Sequence, residues 1–199
     1  IPVDPGTTIL LESYKRNMIP YLPQDALAVS EVFGDYENII LVKNDDGGFY
    51  YPGDGIDGIV TMAPGDAYSV YISGESDIEF NYPSDGLSRT EFTDILEGDR
   101  QARMPVHYKV HNTGISHPII ITEISGAVEV GDELAAYANN ELVGAVRIIT
   151  LDKPVPLTAF GSYESFGFNL MGYNTGDEIE LRLWSNKWQN ELEVITELD

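Results

Sequence analysis

The chain has 199 residues, no cysteine, and 33 acidic against 11 basic residues, for a formal charge of −22. That excludes disulfide scaffolds, zinc–thiolate and iron–sulfur sites and cysteine nucleophiles, and it argues against nucleic acid and anionic membranes, whose binding needs clustered Lys and Arg. Hydrophobic residues make up 43%, with seven Phe, twelve Tyr and two Trp, so the chain is globular and not a solvated acidic tail.

The chain opens on Ile1 without a charged-then-apolar leader, which reads as a processed chain or an excised segment, although a cloning boundary would look the same. Ile1–Gly6 is stiffened by Pro2 and Pro5. Behind it, Thr7, Thr8, Ile9, Leu10 and Leu11 form a strand candidate of high β propensity. Such a segment could add to the edge of a neighbouring copy and build a filament. The plainer expectation is that it forms the first strand of its own domain.

Residues 25–34 (DALAVSEVFG) break the β pattern. Asp25 stands as an N-cap, Ala26, Val29 and Phe33 follow at helical spacing, and Gly34 sits at the C-cap. This spacing predicts one helix of about two to three turns. Asn38–Lys43 and Phe49–Tyr51 then flank Asn44-Asp45-Asp46-Gly47-Gly48, a hairpin signal. Ala67–Ile72 alternates as a strand should.

The stretch from Pro83 to Pro105 is polar, charged and poor in alternation, and is expected to connect two halves, with a helical turn at Glu91–Leu96. Strand candidates resume at Val106–Val110, Pro118–Ile124, Leu134–Tyr137, Leu142–Ile149, Glu178–Trp184 and Leu192–Ile195. The sequence therefore predicts a mainly β fold with two β-sandwich or barrel-like halves, residues 7–83 and 104–199, a connector over 84–103 and one short helix near 25–34. Residues 1–100 carry 19 acids and 5 bases, a balance of −14; residues 101–199 carry 14 and 6, a balance of −8. Three Gly-Asp pairs, Gly65-Asp66, Gly131-Asp132 and Gly176-Asp177, precede strand candidates. Gly suits a left-handed turn position and Asp accepts backbone N–H bonds there.

Candidate chemistry is sparse. Asp45 and Asp46, and Asp54 and Asp57, group oxygen ligands of the kind Ca²⁺ prefers, without the spacing of an EF-hand. Turn composition alone would account for them. His107 and His111 share a face with Lys109 if the segment is a strand, which favours a solvated face over a metal site. No nucleophile elbow, dinucleotide loop or phosphate loop is present, so no catalytic residue and no enzyme is expected. Trp184, Trp188 and Tyr163, with Phe166 and Phe168 nearby, are aromatic candidates for stacking on sugar rings; core packing is the competing use. No run reaches the roughly 20 apolar residues of a spanning helix, so no membrane insertion is expected.

Two sets of residues carry a resemblance. Asn17-Met18-Ile19-Pro20-Tyr21, Glu31-Val32-Phe33, Ile40–Asn44, Gly48–Pro52 and Gly65–Val70 resemble a module found in large secreted bacterial proteins, with Lys15-Arg16-Asn17 replacing that module's usual Gly-Trp-Asn opening. Val130–Tyr137, Glu141–Ala145 and Gly176–Trp184 are similar to a β-sandwich module of the same proteins, with Leu142 where that module commonly has Cys. The resemblance implies an extracellular, non-catalytic setting. With no evident chemistry in the sequence, the expected role is a structural or cell-surface module that associates with copies of itself, as a filament or surface-layer subunit, or with neighbouring modules. The alternative is a polysaccharide-binding module of a secreted enzyme or adhesin. Beyond Ca²⁺, no cofactor is expected.

Overall fold

The computed structural model describes residues 6–83, 102–165 and 167–197. The chain divides into two compact units, Ile1–Gln101 and Ala102–Asp199. Of the expected connector, only Ala102 and Arg103 fall within the described residues; the turn expected at Glu91–Leu96 lies outside them.

The first unit runs β1 (Ile9–Leu11), β2 (Asn17–Pro20), β3 (Leu27–Ala28), α1 (Val29–Phe33), β4 (Ile39–Lys43), β5 (Phe49–Tyr51), β6 (Ile56–Asp57), β7 (Thr61–Met62), β8 (Ala67–Ile72) and β9 (Ile78–Phe80). A five-stranded antiparallel sheet takes the order β2-β8-β4-β5-β6, and β1-β9 and β3-β7 form two further pairs. Ile19, Val42, Tyr68 and Val70 from the sheet join Val29, Val32 and Phe33 of α1 in one core, where Phe33 stacks on Phe80 with centroids 5.1 Å apart. The helix is shorter than its spacing predicts. Leu27 and Ala28 pair with Met62 and Thr61 instead of coiling, because Val29 N–H is bonded to Val60 O across that pair. The N-cap is Ala28 and not Asp25, and its N–H is met by the Glu31 carboxylate at 3.3 Å.

The second unit runs β10 (Ser116–Ile121), β11 (Glu133–Ala138), β12 (Glu141–Arg147), β13 (Val155–Phe160), β14 (Tyr163–Ser165), β15 (Phe168–Leu170), β16 (Ile179–Ser185) and β17 (Asn190–Glu193). Six of these form one antiparallel sheet, β10-β13-β12-β11-β16-β17, and β14 pairs with β15. Its core is aliphatic: Leu134, Ala136, Val146, Leu157 and Leu183 point to one side. Gly144 is required where β12 meets β13, since a Cβ there would lie 2.2 Å from Thr158 O. The sheet's two edges are protected by different means. β17 presents Glu191 and Glu193, and β10 carries Pro118, which has no N–H to offer a partner strand.

Val106–Val110 is not a strand, contrary to its alternation. The N–H groups of Val106, His107 and Tyr108 bond a carboxylate and not a neighbouring ladder, as described below. The fold as a whole is mainly β, with one short α-helix among the described residues and no sheet that closes into a barrel.

Candidate functional site

The densest polar arrangement lies on the face of β11 and β16 turned away from the aliphatic core. Alternation along β11 sends Leu134, Ala136 and Ala138 inward and Glu133, Ala135 and Tyr137 to the other side. Glu133 opens the strand and is only 3% exposed. A carboxylate so placed must be hydrogen-bonded, because an unpaired buried charge is costly. It accepts from three consecutive backbone N–H groups: Val106 at 2.7 Å and His107 at 3.0 Å on Oε1, and His107 at 3.1 Å and Tyr108 at 3.2 Å on Oε2. Segment 106–108 is thereby strapped across the sheet.

Side chains reinforce the strap. The His107 ring lies flat on Trp184, 3.6 Å between centroids with 6° between planes. The Tyr108 hydroxyl donates to Glu191 Oε1 at 2.9 Å, and burial followed by the neighbouring Glu191 carboxylate pushes that phenol well above its ordinary range. Arg182 sits 4.1 Å above the Tyr137 ring and bonds Glu180, so the strap is flanked by a cation, the carboxylates of Glu180 and Glu191 and the rings of Trp184 and Tyr137.

The three Gly-Asp pairs share one turn. Gly65, Gly131 and Gly176 have φ of +96°, +100° and +95°. Each following Asp donates its N–H to the carbonyl three residues back: Asp66 to Ala63, Asp132 to Glu129 and Asp177 to Asn174. The carboxylates of Asp132 and Asp177 return the bond to Glu129 N–H and Asn174 N–H, at 2.9 and 2.7 Å. At Asp66 a phenol intervenes: Ala63 N–H donates to the Tyr68 hydroxyl, which donates to Asp66 Oδ2. Asp132 also accepts from Asn186 N–H at 2.8 Å, locking the β16–β17 turn to the start of β11. The bond from Asn174 N–H, joined by one from Asn139, holds the Asp177 carboxyl below its usual range.

The aromatic candidates do not converge. Trp184 is opposite Glu133, and Glu133 is opposite Arg147. Phe160 follows Ala159, which is opposite Gly144, so the chain leaves β13 toward the other end of the sheet. Tyr163 therefore belongs to that far end, where it pairs with Leu170. One face of Trp184 is occupied by His107. Trp188 is 50% exposed, with Lys187 Nζ 5.9 Å from its ring centroid. Phe166 lies outside the described residues.

The acidic candidates sit on turns of the first unit. Asp45 and Asp46 are in the β4–β5 hairpin, closed by Asn44 N–H to Gly48 O at 3.1 Å. Asp54 ends a 3₁₀ turn before the left-handed Gly55, and Asp57 Oδ1 accepts from Val60 N–H at 2.6 Å. Among the described residues, no three His, Asp or Glu side chains are grouped as a metal would need. At the N-terminus, Ile9, Leu10 and Leu11 pair with Phe80, Glu79 and Ile78 of their own unit. Leu11 is fully buried, Thr7 is exposed and Thr8 donates to Asn81.

Sequence reasoning marked Gly131-Asp132 as a turn and did not find Glu133 as the anchor. The available signal was an acid on the first residue of an otherwise Ala- and Leu-rich strand. No family model, no curated protein and no solved structure matches this chain.

Proposed function

We propose that this chain is a non-catalytic structural module of a secreted or cell-surface protein, which works by holding shape and associating with copies of itself or with neighbouring modules. The observation that carries this reading is the Glu133 carboxylate, whose bonds go to Val106, His107 and Tyr108 N–H groups and fix the chain to its sheet. A carboxylate held this way acts as scaffolding, because its lone pairs are directed at the backbone and not at a cleft. Asp132 and Asp177 are used in the same manner. The extracellular setting comes from the resemblance of the two halves to modules of secreted bacterial proteins. A screen against glycosides, esters and peptides is expected to show no turnover. Turnover that a single Asp or Glu substitution abolishes would overturn the reading.

A second reading is polysaccharide binding at Trp188, which is favoured by its half-exposed indole beside Lys187. Indole faces stack on sugar rings, and a neighbouring cation suits an acidic glycan. A glycan array followed by Trp188→Ala tests it: binding that the substitution removes supports the site, and binding that survives it rejects the site.

A further inference from the structure

Two local conflicts meet at one place in the first unit. Val60 has φ +65°, and Thr61 N–H donates to Ile59 O across it at 2.8 Å. This is a three-residue turn of the rare, left-handed kind, which is strained. The strain is greatest for a β-branched residue such as valine. Bonds hold the turn on both sides: Asp57 Oδ1 accepts from Val60 N–H at 2.6 Å, and Val60 O accepts from Val29 N–H at 3.1 Å. Beside it, Leu27 and Ala28 pair as a strand with Met62 and Thr61. Yet residues 25–34 carry the spacing and end signals of a longer helix, from Asp25 to Gly34.

The contested donor is Val29 N–H. In the observed state it goes to Val60 O. In a helix that starts after Asp25 it would go to Asp25 O, four residues back. That carbonyl now receives the Tyr21 hydroxyl at 2.8 Å. The strand pair is two residues long on each side and belongs to no larger sheet. Its hydrogen bonds alone would leave it marginal. Burial of Leu27 and Met62 in the core of the unit holds it closed, and the strained turn opposes that burial. A strand where the local sequence favours a helix, next to a valine forced to positive φ, is a conflict between local preference and fold, and such conflicts mark elements with two competing states.

We propose that the β3–β7 pair is a bistable element, closed as a strand pair in its major state and open in a minor state in which residues 25–28 become the first turn of α1. On opening, Val29 N–H passes from Val60 O to Asp25 O, Val60 returns to negative φ, and Leu27 and Met62 leave the core. The strain at Val60 exists only in the closed state, so it raises the population of the open one. The device goes beyond the structural-module reading and does not depend on it.

Native-state hydrogen exchange on the full chain, read by NMR at the Val29 amide, tests it. Local opening is expected to let this amide exchange roughly a hundredfold faster than the most protected amides of β8, a strand flanked on both sides. Two pairs of variants then separate the causes. Val60→Gly and Val60→Ala both delete the side chain, but only glycine adopts φ +65° without strain. Val29 should exchange about fivefold more slowly in the glycine variant than in the alanine one, the reverse of the order at an unstrained position. Asp25→Asn keeps an N-cap for the open helix and Asp25→Ala removes it. Val29 should exchange about fivefold faster in the asparagine variant. The Asp25 pair leaves the core intact, so it reads the opening even if a Val60 variant fails to fold. A Val29 amide as slow as those of β8 overturns the proposal. So does exchange in Val60→Gly as fast as in Val60→Ala, which removes the strain, or equal exchange in the two Asp25 variants, which removes the helical open state.

Discussion

The two units solve the same problem, stabilising short strands, with opposite allocations of aromatic and polar groups. The first buries its rings. Tyr21, Phe33, Tyr50, Tyr68, Phe80 and Tyr82 are in its core, and the phenols of Tyr21 and Tyr82 reach backbone carbonyls of Asp25 and Pro20 at 2.8 Å. The second fills its core with Leu, Val, Ile and Ala and sets Tyr108, His107 and Trp184 on the opposite face, where they cover the Glu133 anchor. Large rings suit the first unit because its strands are two to six residues long and cannot stack many aliphatic layers. The second has strands of up to seven residues in a six-stranded sheet, so small side chains suffice on the inner face and one charged anchor organises the outer one.

The comparison breaks most visibly at Phe80. This ring is fully buried, with centroids 5.1 Å from Phe33, 5.2 Å from Tyr36 and 4.8 Å from Tyr82. Phe80→Ala is expected to cost about 4 kcal/mol, from lost transfer energy and the cavity left behind. Both tryptophans lie in the second unit, so indole fluorescence follows that unit and tyrosine near-ultraviolet dichroism is weighted toward the first. In urea, the dichroism midpoint should fall and the fluorescence midpoint should hold. An equal fall in both would show that the two units do not unfold as separate cores.

Glu133→Ala is the converse experiment. It removes the acceptor of three backbone donors and leaves them partly buried, for an expected loss of about 3 kcal/mol. Here the fluorescence midpoint should fall, and the Trp184 signal should lose the contribution of the stacked His107 even before unfolding. If the fluorescence midpoint is unmoved, the strap is decoration on the sheet and the core alone holds the unit.

The parts that were legible in the sequence are those whose cause is local. The β4–β5 hairpin follows from Asp46-Gly47, and the three Gly-Asp turns from the left-handed φ of their glycines. The parts that were not legible depend on partners far along the chain. Val106–Val110 alternates like a strand, yet its donors are taken by Glu133, 25 or more residues away. Residues 25–28 read as a first helical turn, yet Val60 and Met62 draw Leu27 and Ala28 into a strand pair. β13 was hidden by Pro156, which is rare inside a sheet. In the sheet it stands opposite Ile120 of the edge strand β10. The candidate site was legible only in pieces: Trp184 and Trp188 stand out by type, but nothing local reveals that His107 covers one and that Tyr163 lies at the opposite end of the sheet.

The smallest expected effect separates the units by alkaline pH. Burial raises the phenols of Tyr21, Tyr68 and Tyr82 in the first unit well above their ordinary value, and that of Tyr108 in the second. A group whose folded value is raised contributes stability that is fully present below its unfolded value, about 10 for tyrosine, and that is lost as pH rises toward the folded value. Between neutral pH and 9 these groups should therefore change nothing. At about pH 10.5 each such phenol should favour the unfolded chain by about 0.8 kcal/mol, because only the unfolded state has released its proton. Burial raises Tyr50 of the first unit and Tyr137 and Tyr173 of the second in the same direction, so both units should lose stability, the first, with four such phenols against three, somewhat the faster. Urea midpoints from tyrosine dichroism and indole fluorescence, taken at neutral pH, 9 and 10.5, measure both slopes, and tyrosinate absorbance reports when the phenols ionise. Ionisation of all tyrosines at their ordinary value while the chain stays folded would show that the first unit's rings are not held in a dry core and that the contrast between the units is wrong.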